Sequence, residues 1–143
     1  MTAKGRIIWV EDDTKRVPGI YDLVWPLQTA GYQIEVMESK KQVLSRLDHL
    51  RSCDLILLDI ILPVGDKREE GIERYTGLSV LRAIREYGID KPVLVLSVVS
   101  NPKVLDELHK LKVAGVVRKP VRPSVLKERV EAILGIDTPH VDD

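Results

Sequence analysis

Short apolar runs alternate with longer amphipathic segments along most of the chain, and this alternation constrains the fold more than any other feature of the sequence. The runs are rich in Val, Ile and Leu, and several of them, such as LILL and VLVL, show no polar alternation. Strands of that kind are buried on both faces, as in a parallel sheet covered by helices. The sequence therefore predicts five β/α units, with strands at residues 6–10, 33–37, 55–58, 93–96 and 116–117.

Capping residues mark the ends of several intervening helices. Ser39 followed by Gln42 fits a capping box at the start of the second helix, and Asn101 with Pro102 fits an N-cap and first turn for the fourth. Apolar residues then recur at helical spacing, which indicates helix faces that pack on a core. Glycines suited to a left-handed C-cap follow the third, fourth and fifth helices, at Gly88, Gly115 and Gly135.

The first helix is interrupted by proline. Pro18 and Pro26 both fall between the first and second predicted strands. A proline inside a helix lacks the N–H of the helical hydrogen bond and costs about 3 kcal/mol, whereas one in the first turn is tolerated. Pro18 could therefore begin the helix, and we expect a kink or break near Trp25 and Pro26.

Length and composition favour one globular domain. The 143 residues are 44% hydrophobic, which is enough for a substantial core. The 22 basic residues equal the 22 acidic ones, so no basic field favours direct binding to nucleic acid or to a membrane. The first residues lack the apolar stretch of a secretory signal, and no apolar run approaches the roughly 20 residues of a membrane span. We expect a cytoplasmic protein with its domain at residues 1–136 and a polar tail or linker stub at 137–143.

The cysteine and histidine residues do not indicate a metal site. Cys53 is the single cysteine, which excludes an intrachain disulfide and a cysteine-based zinc cluster. It follows a polar stretch and precedes an apolar run, and we interpret it as an inert small residue. The three histidines lie far apart without ligand-like spacing.

Polar residues at the ends of four predicted strands should meet in space. Right-handed crossovers bring the C-terminal ends of parallel strands to one edge of the sheet. The first strand ends in Glu11 and Asp12, the third in Asp59, the fourth in Ser97 and the fifth in Lys119. Acids, a hydroxyl and an amine are therefore expected at one site.

These residue types suit a metal-dependent reaction of a phosphoryl group. Carboxylates from two strand ends repel one another unless a cation neutralises them, and oxygen ligands suit Mg²⁺. An Asp beside the metal, here Asp59, can act as a nucleophile on phosphorus. Phosphoryl transfer depends mainly on positioning and charge stabilisation, so Mg²⁺, the Lys119 ammonium and the Ser97 hydroxyl would be a sufficient set.

Four segments of the chain resemble a known family. IIWVEDD, DLILLDIILP, VLVLS and VVRKP resemble, in order and spacing, the four motifs of response-regulator receiver domains of two-component signalling. The resemblance extends over residues 6–134. It implies an α/β flavodoxin-like (βα)5 fold with a parallel five-stranded sheet in the order 2-1-3-4-5.

The same resemblance implies a set of metal ligands. Asp12 would bind Mg²⁺ directly, and Glu11 would act mainly through water. Asp59 would be both a metal ligand and the phosphoacceptor. The backbone carbonyl of Ile61 would complete the protein ligands.

The resemblance also implies how the chain signals. Ser97 takes the place of the family's Thr or Ser and Lys119 that of its Lys, with a cis bond to Pro120. The phosphoryl donor would be a histidine kinase or a histidine phosphotransfer protein, and the chain would catalyse only its own phosphotransfer and dephosphorylation. Output would pass to an unknown effector, or to a homodimer formed through the face of the fourth helix, fifth strand and fifth helix.

The sequence departs from the family pattern at three places. The connection between Pro63 and Gly77 is about ten residues longer than usual; its charges suit a solvated surface insertion, and the alternative is a lid or docking loop. Val98 stands where the family usually has a small residue. Val116 stands where it usually has the Tyr or Phe that moves inward on activation, so we expect transmission to differ.

Three alternatives remain from the sequence. Val98 and Val116 would also suit a receiver-like binding module that phosphate does not regulate. A haloacid-dehalogenase-like phosphatase also uses an Asp nucleophile with Mg²⁺, but it requires a second Asp two residues on, where this chain has Ile61. A flavodoxin-like FMN protein would need Gly, Ser and Thr after the first strand, where acids stand instead.

Overall fold

The computed structural model describes residues 4–12, 17–60, 76–97 and 101–135. The predictions that concern Ile61, Val98, the insertion up to residue 75 and the tail from residue 136 lie outside the described residues.

The described residues form a parallel five-stranded sheet with the order β2-β1-β3-β4-β5, which confirms the predicted fold. The two strands whose sequences lack polar alternation, β3 and β4, are buried at every position. That burial is what helices on both faces of a sheet produce. The strands are β1 (Gly5–Val10), β2 (Tyr32–Met37), β3 (Leu55–Asp59), β4 (Val93–Ser97) and β5 (Gly115–Arg118).

Helices cover the two faces of the sheet and enclose a core on each side. Residues of α2, α3 and α4 pack with one core, and residues of α1 and α5 pack with the other. Short 3₁₀ helices lie at Ile20–Leu23 and Leu47–Ser52. The α-helices are α1 (Trp25–Thr29), α2 (Lys40–Leu44), α3 (Thr76–Glu86), α4 (Pro102–Lys110) and α5 (Pro123–Leu134).

The segment between β1 and β2 is broken where proline predicted a break. The 3₁₀ helix ends at Leu23, and α1 begins at Trp25 with Pro26 in its first turn. Proline is accepted there because the first N–H groups of a helix have no intrahelical partner. The break leaves Trp25 62% exposed, while Val24 and Leu27 are buried in the core.

Both predicted N-caps are present. Ser39 Oγ accepts a hydrogen bond from the backbone N–H of Gln42 at 3.1 Å, and Gln42 Oε1 accepts one from the N–H of Glu38 at 2.7 Å. Asn101 Oδ1 accepts from the N–H of Lys103 at 2.9 Å. These local signals need no tertiary contact to act.

One of the three predicted C-caps is wrong. Gly88 and Gly135 have φ of 87° and 70°, as expected, but Gly115 is the first residue of β5. The left-handed residue after α4 is Lys112, with φ of 57°. The Arg85 guanidinium donates hydrogen bonds to the carbonyls of Leu111 and Lys112 at 2.9 and 3.2 Å. Those bonds stabilise the end of α4 without a glycine.

Candidate functional site

The C-terminal edge of the sheet brings the predicted carboxylates together. Glu11 directly follows β1, where its N–H donates to the carbonyl of Met37 at 2.9 Å, and Asp59 is the last residue of β3. Each of Glu11, Asp12 and Asp59 has a carboxylate oxygen within 4.8 Å of the others. The Glu11 side chain is 1% exposed and that of Asp59 is 12% exposed, so the cluster is poorly solvated.

The predicted hydroxyl and amine lie at the same edge. Ser97 is buried as the last residue of β4. The N–H of Lys119, the first residue after β5, donates to the carbonyl of Ser97 at 2.8 Å. Lys119 Nζ lies 2.8 Å from Asp59 Oδ2 and 3.3 Å from Glu11 Oε1. The bond between Lys119 and Pro120 is cis, as the resemblance implied.

Electrostatics keeps Lys119 charged at this position. Burial by itself would lower the pKa of the ammonium group, but the hydrogen bond and charge of Asp59, with Glu11 in support, raise that pKa above its ordinary value. A lysine in this state remains a cation at neutral pH. It can therefore compensate negative charge that forms on or near Asp59.

The residues of the cluster fit a magnesium ion. Carboxylate oxygens are the hard ligands that Mg²⁺ prefers, and Mg²⁺ is usually held by one or two protein carboxylates with several waters. Asp12 is more exposed than Glu11 and Asp59, which leaves a side of the cluster open to water. Three close carboxylates also need a cation to offset their mutual repulsion.

Gly77, which the sequence did not assign to the site, lies against the main chain of Asp59 and Ile60. The backbone N–H of Gly77, in the first turn of α3, donates to the carbonyl of Ile60 at 2.7 Å. The sequence showed Gly77 only as the residue that ends the long insertion. Glycine has a low helix propensity, so a glycine within a predicted helix indicates that some other constraint acts there. That was the one sign in the sequence of a special role for Gly77.

An open apolar hollow of about 490 Å³ borders the site. Glu11 and Lys119 are among the residues that line it, and Ile20, Leu23 and Val121 contribute apolar surface. The hollow lies between the 3₁₀ helix after β1 and the start of α5. It offers a binding surface next to the carboxylates.

Cys53 lies apart from this edge, just before β3 begins. Its side chain is buried, and Sγ donates to the carbonyl of Leu50 at 3.1 Å. Burial raises the pKa of the thiol to about 11, so it is not a thiolate at neutral pH. These properties fit the predicted inert role.

A family model places the chain among known proteins. The model described as "Response regulator receiver domain" matches residues 7–131. The chain therefore belongs to the response regulator receiver domain family. This membership decides against the phosphatase and FMN-protein alternatives.

Solved structures agree with the family match. The N-terminal domain of a response regulator/sensory box/GGDEF 3-domain protein from Carboxydothermus hydrogenoformans is 25% identical, with a TM-score of 0.68 over 91% of this chain and 94% of that one. A CheY-like receiver domain protein from Methanospirillum hungatei is 19% identical, with a TM-score of 0.72 over 94% and 95%. Chemotaxis protein CheY4 of Vibrio cholerae is 22% identical, with a TM-score of 0.70 over 93% and 99%. The last two likenesses show the shared fold.

Family membership defines the class of function. Receiver domains are signalling modules without an independent metabolic activity, they bind Mg²⁺ at an acidic pocket, and they interact with histidine kinases and effectors. Within the part of the chain that the structure describes, no helix has the length and apolarity to cross a membrane.

Proposed function

We propose that Asp59 accepts a phosphoryl group in a Mg²⁺-dependent reaction, and that the phosphorylated chain signals by binding a partner. The observation that carries the proposal is the contact of 2.8 Å between Lys119 Nζ and Asp59 Oδ2, made beside the Glu11 and Asp12 carboxylates. A nucleophilic carboxylate next to a fixed cation and a set of metal ligands is suited to phosphoryl transfer.

The chemical step needs no general base. An ionised Asp59 oxygen forms a bond to phosphorus while the bond from phosphorus to the donor's histidine nitrogen breaks. Lys119 is close enough to Asp59 to turn from its carboxylate to an oxygen of the transferred group, and the Ser97 hydroxyl would donate to another. Magnesium, when bound, would offset the charge that the carboxylates and phosphoryl oxygens bring together.

The proposed metal ligands have different roles. Asp12 and Asp59 would bind the ion through their carboxylates, and the backbone carbonyl of Ile61 would be a further ligand. Glu11 is 1% exposed and already contacts Lys119, so we assign it a role through water.

The proposed phosphodonor is a histidine kinase or a histidine phosphotransfer protein in the cytoplasm. A donor must bring its histidine to Asp59 and cover the surface around it, and the apolar hollow beside Lys119 gives such a partner a place to pack. We further propose residues 1–136 as the receiver unit and 137–143 as a tail. Output would pass to an effector, or to a homodimer through α4, β5 and α5.

The test is the intact mass of the protein after incubation with Mg²⁺ and acetyl phosphate. We expect one phosphoryl adduct on the parent chain, and none on Asp59→Asn or after a chelator is added. Asp54→Asn is the matched control, because Asp54 is exposed at the opposite end of β3 and should leave the adduct unchanged. An adduct that persists in Asp59→Asn would contradict the assignment of the phosphoacceptor.

Val116 favours a second candidate, a receiver-like binding module that phosphate does not regulate. It is partly buried and packs against the core shared by α3 and α4, where the family usually has a mobile aromatic residue. Amide hydrogen exchange with and without beryllofluoride, a phosphoryl mimic, separates the two. A strong response in α4 would support phosphate-dependent signalling, and unchanged exchange throughout α4, β5 and α5 would support the second candidate.

A further inference from the structure

The start of α3 is pressed against the main chain that carries Asp59. Gly77 is buried, and its N–H donates to the carbonyl of Ile60, the residue after Asp59, at 2.7 Å. This hydrogen bond joins the end of β3 to the first turn of α3. The contact therefore determines where the first turn of α3 lies relative to Asp59.

The contact depends on the missing side chain of Gly77. A Cβ at this position would lie 2.5 Å from the carbonyl oxygen of Asp59, 2.6 Å from Cα of Ile60 and 2.8 Å from its carbonyl oxygen. All three atoms belong to the main chain, so no side-chain rotation could relieve the overlap. The φ of Gly77 lies outside the left-handed region, so the requirement is for space.

The opposite end of α3 is fixed, which directs any displacement towards β3. The Arg85 guanidinium donates to the carbonyls of Ile89 and Lys91 at 2.9 Å each, as well as to the end of α4. Arg82 pairs with Glu107 of α4 at 2.6 Å. Leu78, Val80, Leu81 and Ile84 are buried in the core. The helix cannot withdraw without breaking these contacts.

We infer that Gly77 is a positioning residue for Asp59. This inference rests on the proposed function, in which the Asp59 carboxylate must meet Lys119 and the metal ligands together. Any side chain at position 77 would displace the main chain of Asp59 and Ile60 and move the carboxylate away from its partners. Reactions that depend on positioning are slowed when a reacting group is displaced by about 1 Å.

The experiment compares Gly77→Ala with Gly5→Ala, a control at a half-buried glycine at the start of β1. The atoms nearest to a Cβ at Gly5 belong to side chains, with Tyr32 Cδ1 at 3.2 Å and Asp54 Oδ2 at 3.3 Å, and they lie at the opposite end of the sheet from the site. For both variants we would measure Mg²⁺ affinity and backbone amide chemical shifts by NMR, the rate of phosphorylation by acetyl phosphate, and thermal unfolding.

For Gly77→Ala we expect the Mg²⁺ dissociation constant to rise, and the phosphorylation rate to fall, by about tenfold or more. Amide shifts should centre on Asp59 and Ile60. Gly5→Ala should keep the Mg²⁺ dissociation constant and the phosphorylation rate of the parent. Should Gly77→Ala not fold in buffer, the measurements are repeated in trimethylamine N-oxide, which favours the folded state.

Several results would overturn the inference. One is a folded Gly77→Ala with parent Mg²⁺ affinity and with amide shifts confined to α3, since the helix would then have absorbed the displacement. A variant that stays unfolded in the osmolyte would also overturn it, because the role of Gly77 would be general to the fold. If the parent chain takes no phosphoryl group, the proposed function fails, and the Mg²⁺ affinities and amide shifts still decide the role of Gly77.

Discussion

The two ends of the sheet both hold buried carboxylates with lysines, but in opposite proportions. At the N-terminal end, the Glu131 carboxylate of α5 accepts from Lys127 Nζ at 3.0 Å, Lys4 Nζ at 3.2 Å and the Tyr32 hydroxyl at 3.3 Å. We refer to these four residues as the Glu131 cluster. In it, one acid meets two cations and a neutral donor.

The site at the other end has the reverse composition. Three carboxylates, those of Glu11, Asp12 and Asp59, lie together, and Lys119 contacts two of them. A buried acid with enough donors is stable as it stands, whereas clustered acids favour the arrival of a cation. The comparison teaches that burial of charge does not by itself mark a functional site; the balance of acids and donors does.

The largest expected effect is that of Lys119→Met on phosphorylation. In the proposed reaction, removal of the ammonium group next to Asp59 would take away a charge that stabilises the transferred phosphoryl group, and such groups are worth about 100-fold or more in rate. The rate of adduct formation with acetyl phosphate should fall by that order. Lys127→Met, which removes a lysine from the Glu131 cluster, should react at the parent rate.

Equal rates for Lys119→Met and the parent would contradict the role proposed for Lys119 in the reaction. The ammonium group would then neutralise the resting carboxylates without contributing to the reaction. Thermal unfolding of both variants shows whether a slow rate reflects an unfolded protein.

The next effect is on stability, at the opposite end. Glu131→Gln keeps the size of the side chain but removes the charge that three donors share, and hydrogen bonds to charged groups contribute about 1.5–3 kcal/mol. We expect the free energy of unfolding in urea to fall by that order while the phosphorylation rate is unchanged. Glu128→Gln, an exposed position on the same helix, is the control. A slower phosphorylation rate in Glu131→Gln would mean that the two ends are coupled.

The Glu131 cluster should also make stability depend on pH at both extremes. Burial by itself would raise the pKa of Glu131, but the hydrogen bonds from Lys127 and Lys4 lower it below its ordinary value of 4.5. The contribution of the ionised Glu131 carboxylate to the free energy of unfolding is therefore present above pH 4.5, and it is lost as the pH falls through the pKa of the folded state. Burial and the charge of Glu131 raise the pKa of Tyr32 from 10.0 to about 12. The neutral Tyr32 hydroxyl therefore contributes to the free energy of unfolding below pH 10.0, and this contribution is lost as the pH rises through the folded pKa.

Urea unfolding of the parent and of Glu131→Gln over a range of pH measures this contribution. The stability difference between the two should be largest near neutral pH and should shrink in acid, where Glu131 becomes protonated. A difference that stays constant down to pH values well below 4.5 would show that the charge of Glu131 is not what stabilises the cluster.

Local signals and topology made most of the fold predictable. The strands follow from their apolar runs, and the caps at Ser39 and Asn101 act through atoms within a few residues. The meeting of Asp59 with Lys119 was predictable as well, because parallel strands that end at the same edge leave few other arrangements.

What the sequence did not reveal depends on contacts between distant residues. Gly115 was expected to cap α4, but Arg85 of α3 stabilises the carbonyls there and Lys112 takes the left-handed conformation. Gly77 meets Asp59 across a long connection, and nothing local to it names that partner. The Glu131 cluster likewise joins the two ends of the chain, since Lys4 precedes β1 and Glu131 lies near the end of α5.

The smallest expected effect is that of Lys127→Met on stability. Lys127 is one turn from Glu131, and its side chain is 33% exposed, so solvent partly screens its charge. Lys4 and Tyr32 would still donate to Glu131 in the variant. Pairs of this kind contribute less than about 1 kcal/mol, so the free energy of unfolding should change by less than in Glu131→Gln. A loss as large as that of Glu131→Gln would mean that Lys127 alone stabilises the Glu131 carboxylate. The interpretation that Lys4 and Tyr32 supply enough donors without Lys127 would then be wrong.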